Sequence, residues 1–123
     1  MEQGRILVVE DEFLIRITLA ELLEDAGHAV VTADSGKEAL ALLSGDAGIS
    51  LMLTDMSLPG GMNGLALMEA ARQVRADLPV MFVTGRPDLA PPVTGPGMAV
   101  VAKPYAGSDI LACIDRLMPK AAV

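Results

Sequence analysis

Five short apolar runs recur along this chain, and each one breaks off at a polar or charged residue. They are Arg5–Glu10, His28–Ala33, Ser50–Thr54, Leu78–Val83 and Met98–Ala102. Apolar runs of this length, rich in β-branched residues, predict strands buried on both faces. Stretches with helical spacing lie between them. Phe13 to Ala26 carries Phe13, Ile17 and Ala20 with Leu19, Leu22 and Leu23, and Gly27 follows as a helix stop. Strand followed by helix, repeated, predicts a parallel sheet with helices on both faces and right-handed crossovers.

The helix boundaries have local signals. Ser35 and Glu38 fit a capping box for a helix running to about Leu43 and stopping at Ser44-Gly45. Asn63 is a good N-cap for a helix over Gly64–Arg75. Ser108–Met118 carries the stripe Ile110, Leu111, Ile114, Leu117 and Met118, with Pro119 just beyond. Pro79 sits at the start of the fourth strand, where a missing amide is tolerated. The exception is Gly85 to Gly97, which holds Pro87, Pro91, Pro92 and Pro96. An interior proline costs a helix roughly 3 kcal/mol. The fourth crossover is therefore expected to hold at most one helical turn, near Pro87–Ala90, with extended loop elsewhere.

Totals narrow the function classes. A chain of 123 residues suggests one domain, with no output domain expected in this sequence. It is 52% hydrophobic but only 2% aromatic, so the core must be aliphatic. The net charge of −7 disfavours nucleic acid as a partner and suits a basic protein surface. The one cysteine, Cys113, falls at an apolar helical position and reads as an inert thiol. No leader and no apolar run of membrane-spanning length is seen, so a cytoplasmic location and no membrane partner are expected.

The strand ends carry the chemistry. The first run ends at Glu10 and Asp11, the third at Asp55 before the Pro59-Gly60 turn, the fourth at Thr84, and the fifth at Lys103. In an open parallel sheet these ends share one edge, where ligands collect. Three carboxylates there repel one another, by roughly 4 kcal/mol per pair at 4 Å and an effective dielectric near 20. Either one stays protonated or a cation resides among them. An all-oxygen site with open positions suits Mg²⁺. A carboxylate nucleophile, a divalent cation, an ammonium and a hydroxyl are together the parts of phosphoryl transfer.

Each residue also has a plainer reading. Asp11 fits a helix N-cap, Asp55 a turn former, Thr84 a hydroxyl capping a loop, and Lys103 a solvated lysine. His28 lies away from this edge and reads as structural. Tyr105 reads as partly buried beside the fifth strand. The plain readings must hold separately, whereas phosphoryl transfer accounts for all the strand ends at once.

At this point the sequence resembles the response-regulator receiver domain of two-component signalling, of the stand-alone type. The resemblance rests on Val8-Val9-Glu10-Asp11, Leu53-Thr54-Asp55-Met56-Ser57-Leu58-Pro59, Val83-Thr84-Gly85 and Val101-Ala102-Lys103-Pro104-Tyr105, in order and over essentially the whole chain. It implies a five-stranded flavodoxin-like sheet of order 2-1-3-4-5, for which receiver domains are themselves a standard example. It implies phosphorylation of Asp55 by a histidine kinase or phosphotransfer protein. It implies Mg²⁺ held by Asp11, Asp55 and the backbone carbonyl of Ser57, with Glu10 reaching it through water. Thr84 and Lys103 would then contact the phosphoryl group, and the Lys103–Pro104 bond is expected to be cis. The chain departs from the family in three places. The turn over Gly60–Gly64 carries an extra residue, the fourth helix gives way to the Pro-rich stretch, and Val100 stands where many members have Tyr or Phe.

The leading expectation is a phosphorylation-switched module that changes its protein-binding surface, either for an output partner or as a phosphate shuttle. Two alternatives stay open. One is a degenerate receiver that acts only by binding. The other is a Mg²⁺-dependent phosphohydrolase, although Ser57 occupies the position two after Asp55 where many such enzymes need a second Asp.

Overall fold

The computed structural model describes residues 4–46, 48–58, 63–85, 88 and 97–118. Its elements follow in the order β1 (Arg5–Val9), α1 (Phe13–Asp25), β2 (Ala29–Ala33), α2 (Gly36–Gly45), β3 (Ile49–Asp55), α3 (Gly64–Val74), β4 (Val80–Thr84), β5 (Met98–Ala102) and α4 (Gly107–Leu117). The five strands form one sheet in the order β2-β1-β3-β4-β5, and every pairing is parallel. The parallel sheet is the one the alternation of apolar runs and helical stretches predicts, and its order is the flavodoxin-like one that the resemblance to receiver domains implies.

Strand alternation sorts the core into two layers. Leu7, Val9, Met52, Val80 and Phe82 pack with Ala39 and Leu43 of α2 and with Leu67 and Ala71 of α3. Ile6, Val8, Leu51, Leu53, Met81 and Val83 pack with Leu19 and Leu23 of α1 and with Ile110 and Ile114 of α4. Period-two alternation in a sheet covered on both sides produces these two sets. Phe82 is the one aromatic among the fully buried side chains named, and the rest are aliphatic. Burial of this kind contributes roughly 25 cal/mol per Å² of apolar surface and is the main stabilising term.

The boundary signals hold with small shifts. Gly27 takes φ +95°. His28 N donates to Leu23 O at 3.0 Å and Gly27 N to Glu24 O at 2.9 Å, so the last carbonyls of α1 are satisfied by a left-handed glycine. Asn63 Oδ1 accepts from Ala66 N at 2.8 Å, as an N-cap should. The capping box at α2 differs by one residue. Ser35 Oγ accepts from Glu38 N at 3.2 Å, but Glu38 Oε1 takes the amide of Asp34 at 2.9 Å rather than that of Ser35. Helix α2 also continues through Gly45. Strand β3 extends to include Asp55, whose Cα pairs with Val83. Asp11 is not the N-cap of α1. That position is Glu12, which makes no side-chain cap bond. The expected helical turn near Pro87–Ala90 and the extra residue of the Gly60–Gly64 turn lie almost wholly outside the described residues.

At the opposite edge of the sheet, arginines tie elements together. Arg75 donates to Leu43 O at 3.4 Å and Asp46 O at 3.0 Å, and also to Ile49 O. Arg72 spans Leu78 O and Gly97 O, at 3.1 and 3.2 Å from Nη2. These bonds satisfy carbonyls where α2, β3, β4 and β5 meet, and they leave the carboxyl edge of the sheet free for the site.

Candidate functional site

The central strand β3 delivers Asp55 to the carboxyl edge, flanked by β1 on one side and β4 on the other. Asp55 stands two residues beyond Leu53, Glu10 two beyond Val8, and Lys103 two beyond Val101, so all three continue the side of the sheet that faces α1 and α4. Thr84 stands two beyond Phe82 and continues the other side.

The closest contact joins Asp55 and Lys103. Lys103 Nζ donates to Asp55 Oδ2 at 2.8 Å. The Asp55 side chain is 14% exposed and that of Lys103 33% exposed, so the pair is partly shielded from water. Ser57 N donates to Asp55 Oδ1 at 3.1 Å. Both carboxylate oxygens therefore have a donor. Burial alone lowers the affinity of Lys103 for its proton. The Asp55 hydrogen bond and the charges of Asp55 and Glu10 outweigh that effect, and the lysine is held above its ordinary value.

Glu10 is 3% exposed. Its Oε2 accepts from Glu12 N at 3.1 Å, and its own amide donates to Ala33 O at 3.0 Å. Burial is the main reason its pKa rises from 4.5 to about 7. The Glu12 amide opposes that rise, the neighbouring Asp11 side chain and the Asp55 charge add to it, and Lys103 opposes it. Asp11 itself is exposed at the mouth of the edge. Thr84 is buried, at 5% exposure, and its carbonyl accepts from Lys103 N at 2.8 Å. Thus the hydroxyl-bearing residue and the ammonium-bearing residue are joined through the main chain. The Lys103–Pro104 bond is cis. Tyr105 is half-buried and packs against the α1/α4 layer, and burial raises its phenol above the ordinary value.

The donor set is all oxygen: the Glu10, Asp11 and Asp55 carboxylates, with the Ser57 backbone beside Asp55. Among the described residues no three His, Cys, Asp or Glu side chains close into a metal cage. Mg²⁺ needs none, since it binds through one or two carboxylates and keeps several waters. Burial is what chiefly raises Glu10, with Asp11 and Asp55 adding to it, and a cation at this edge would favour the charged carboxylates. The residues present therefore fit Mg²⁺.

Two participants carry no motif of their own. Arg16 Nη1 donates to Glu10 O at 2.8 Å. Gly64, at the start of α3, donates its amide to Met56 O at 2.8 Å. A Cβ on Gly64 would stand 2.6 Å from Asp55 O and 3.0 Å from Met56 Cα, so only glycine lets α3 start against the backbone that carries Asp55. The pair Asn63-Gly64 signals a helix start, but nothing in it announces this close approach.

The sequence profile described as "Response regulator receiver domain" matches residues 6–115. The chain belongs to that family. This receiver domain is 35% identical over 117 residues to the response regulator receiver protein CpdR of Brucella abortus, covering 93% of this chain and 96% of that protein. It is 36% identical over 117 residues to the uncharacterized transcriptional regulatory protein YkoG of Bacillus subtilis, and spans only 50% of that protein's length. Among solved structures, the receiver domain of the hybrid histidine kinase CckA superposes with a TM-score of 0.79 at 34% identity, covering 93% of this chain and 99% of that one. The family places the chain in two-component signalling, where receivers work with histidine kinases and act as switches. No helix among the described residues is long and apolar enough to cross a membrane.

Proposed function

We propose that this receiver accepts a phosphoryl group on Asp55 from a phosphohistidine of a histidine kinase or phosphotransfer protein, in a Mg²⁺-dependent reaction, and thereby changes its protein-binding surface. The observation that carries the reading is the 2.8 Å contact of Lys103 Nζ with Asp55 Oδ2, set beside a buried carboxyl, Glu10, on the adjoining strand end.

In this reading an Asp55 carboxylate oxygen attacks phosphorus in line. The phosphorus–nitrogen bond to the donor imidazole breaks, and its electron pair stays on that ring. The product is an acyl phosphate. Lys103, released from its carboxylate partner, holds a phosphoryl oxygen through a charge-assisted hydrogen bond. The Thr84 hydroxyl serves a second oxygen. Glu10, Asp11, Asp55 and the Ser57 carbonyl would hold Mg²⁺, Glu10 through water. When bound, Mg²⁺ supplies the positive charge that offsets the phosphoryl oxygens. The added charge beside Thr84 and the β4 end is the signal. The chain turns over no external substrate and acts in the cytoplasm, and its output partner is a protein rather than a nucleic acid or a membrane.

The test is to incubate the protein with acetyl phosphate and Mg²⁺ and read intact mass. A single phosphoryl adduct, labile to mild alkali and missing from Asp55→Asn, is expected. No adduct on the native chain supports a receiver that only binds. Continuous release of phosphate from a small ester supports a hydrolase.

A further inference from the structure

The first turns of α1 aim a guanidinium back at the acidic turn. Arg16 Nη1 donates to Glu10 O at 2.8 Å and to Asp11 O at 3.5 Å. The guanidinium carbon lies 5.6 Å from the centroid of the Phe13 ring, within cation–π range. Phe13 is 61% exposed, so burial does not account for a large aromatic there. A ring with one face under a guanidinium does. Within the β1–α1 turn Glu10 Oε2 takes the Glu12 amide at 3.1 Å, but Glu12 at the N-cap makes no side-chain cap bond of its own. Arg16 adds a second brace from the helix side, holding the main-chain carbonyl of Glu10 and, at longer reach, that of Asp11.

We propose that Arg16, steadied by Phe13, is a positioning residue for the acidic pair: it fixes the backbone of Glu10 and Asp11 so that their carboxylates are presented to Mg²⁺. The Mg²⁺ part of this rests on the function proposed above.

The sign of one substitution separates positioning from charge. Arg16 is a cation close to a cation site. By charge alone, removing it lowers the repulsion felt by Mg²⁺ and tightens binding. By position, removing it frees the turn and weakens binding. Residues that orient metal ligands from outside the coordination shell are typically worth 10- to 100-fold in metal affinity. Arg16→Lys keeps the charge but loses the planar fork and the stacking surface, so it separates the two effects again.

Mg²⁺ binding is measured by calorimetry on the full chain, and amide exchange of Glu12 is followed by NMR in the metal-free protein. The Glu12 amide is the donor to Glu10 Oε2, so it reports the turn without any metal. Arg16→Ala is expected to raise the Mg²⁺ Kd about tenfold, and Arg16→Lys by a similar factor. Phe13→Leu is expected to raise it about threefold, the size of an exposed cation–π contact. Glu12 exchange quickens in all three variants. An unchanged or lower Kd in Arg16→Ala, with Glu12 exchange unaltered, overturns the proposal. If Arg16→Ala does not fold, Phe13→Leu decides by the same two readouts. If the native chain takes up no Mg²⁺, the metal reading fails, and Glu12 exchange alone decides whether Arg16 holds the turn.

Discussion

Replacing Glu10 by Gln tests the electrostatics of the site without touching Asp55. Burial, Asp11 and Asp55 push the Glu10 carboxyl from 4.5 to about 7. Folding therefore takes up a proton between those two values, because the folded chain holds it more tightly than the unfolded one. Stability contributed by this group is full below about pH 4.5, declines as pH rises toward 7, and is flat above. The difference between 4.5 and about 7, at 1.36 kcal/mol per pH unit, corresponds to about 3 kcal/mol. That is a large part of the 5–15 kcal/mol typical of a domain. Gln keeps the shape and can still accept from the Glu12 amide, but it carries no charge. Metal-free Glu10→Gln should thus match the native protein at pH 4.5 and exceed it by about 3 kcal/mol at pH 8, near 10 °C in Tm. Urea unfolding at both pH values, with a chelator present, measures the difference. Saturating Mg²⁺ should shrink the gap at pH 8, because the cation stabilises the charged form. A Gln variant that is less stable at pH 8, or a gap that does not change with pH, refutes the claim that burial and the acidic neighbours hold the Glu10 carboxyl above its ordinary value.

Three further outcomes follow from particular contacts. Gly64→Ala forces a methyl to within 2.6 Å of Asp55 O, so it should cost about 1–3 kcal/mol and slow adduct formation on Asp55, as read by denaturant melts and intact mass. Lys103→Ala removes the 2.8 Å partner of Asp55; the adduct should still form, while the phosphorylation-dependent shifts in the NMR spectrum of β4 and β5 shrink, and full-sized shifts would count against the lysine. Arg75→Ala strips donors from Leu43 O, Asp46 O and Ile49 O at the far edge, so it should cost about 2–3 kcal/mol and leave the rate of adduct formation unchanged.

The strands were legible because their signal is dense. A run such as Ile6-Leu7-Val8-Val9 has no amphipathic alternative, and its position before Glu10 and Asp11 sets the edge of the sheet. The caps at Ser35, Asn63 and Gly27 were legible because each meets a specific backbone need. The end of β3 was less so. Asp55 is polar and reads as the first residue outside the strand, yet its backbone still pairs with β4, since ladder bonds do not depend on side-chain polarity. Glu10, Asp55, Thr84 and Lys103 were legible because the ends of parallel strands share one edge. Arg16 and Gly64 were not, for opposite reasons. Arg16 is the single arginine of α1, and its target is a carbonyl, which sequence does not display. Gly64 matters through an atom it lacks.

The division of the sheet into two layers has a consequence for timing. Asp55, Glu10 and Lys103 follow the parity of one layer, and Thr84 follows that of the other. Side-chain parity along a strand is binary, so no small sliding motion carries a residue from one layer to the other. Any event that links Thr84 to Asp55 must therefore go around the strand tips or through the main chain, and the Thr84 carbonyl bonded to the Lys103 amide is a bridge already in place. Under the proposed function, such a relay would work like a latch across a partition, registering on one side of the sheet a change made on the other.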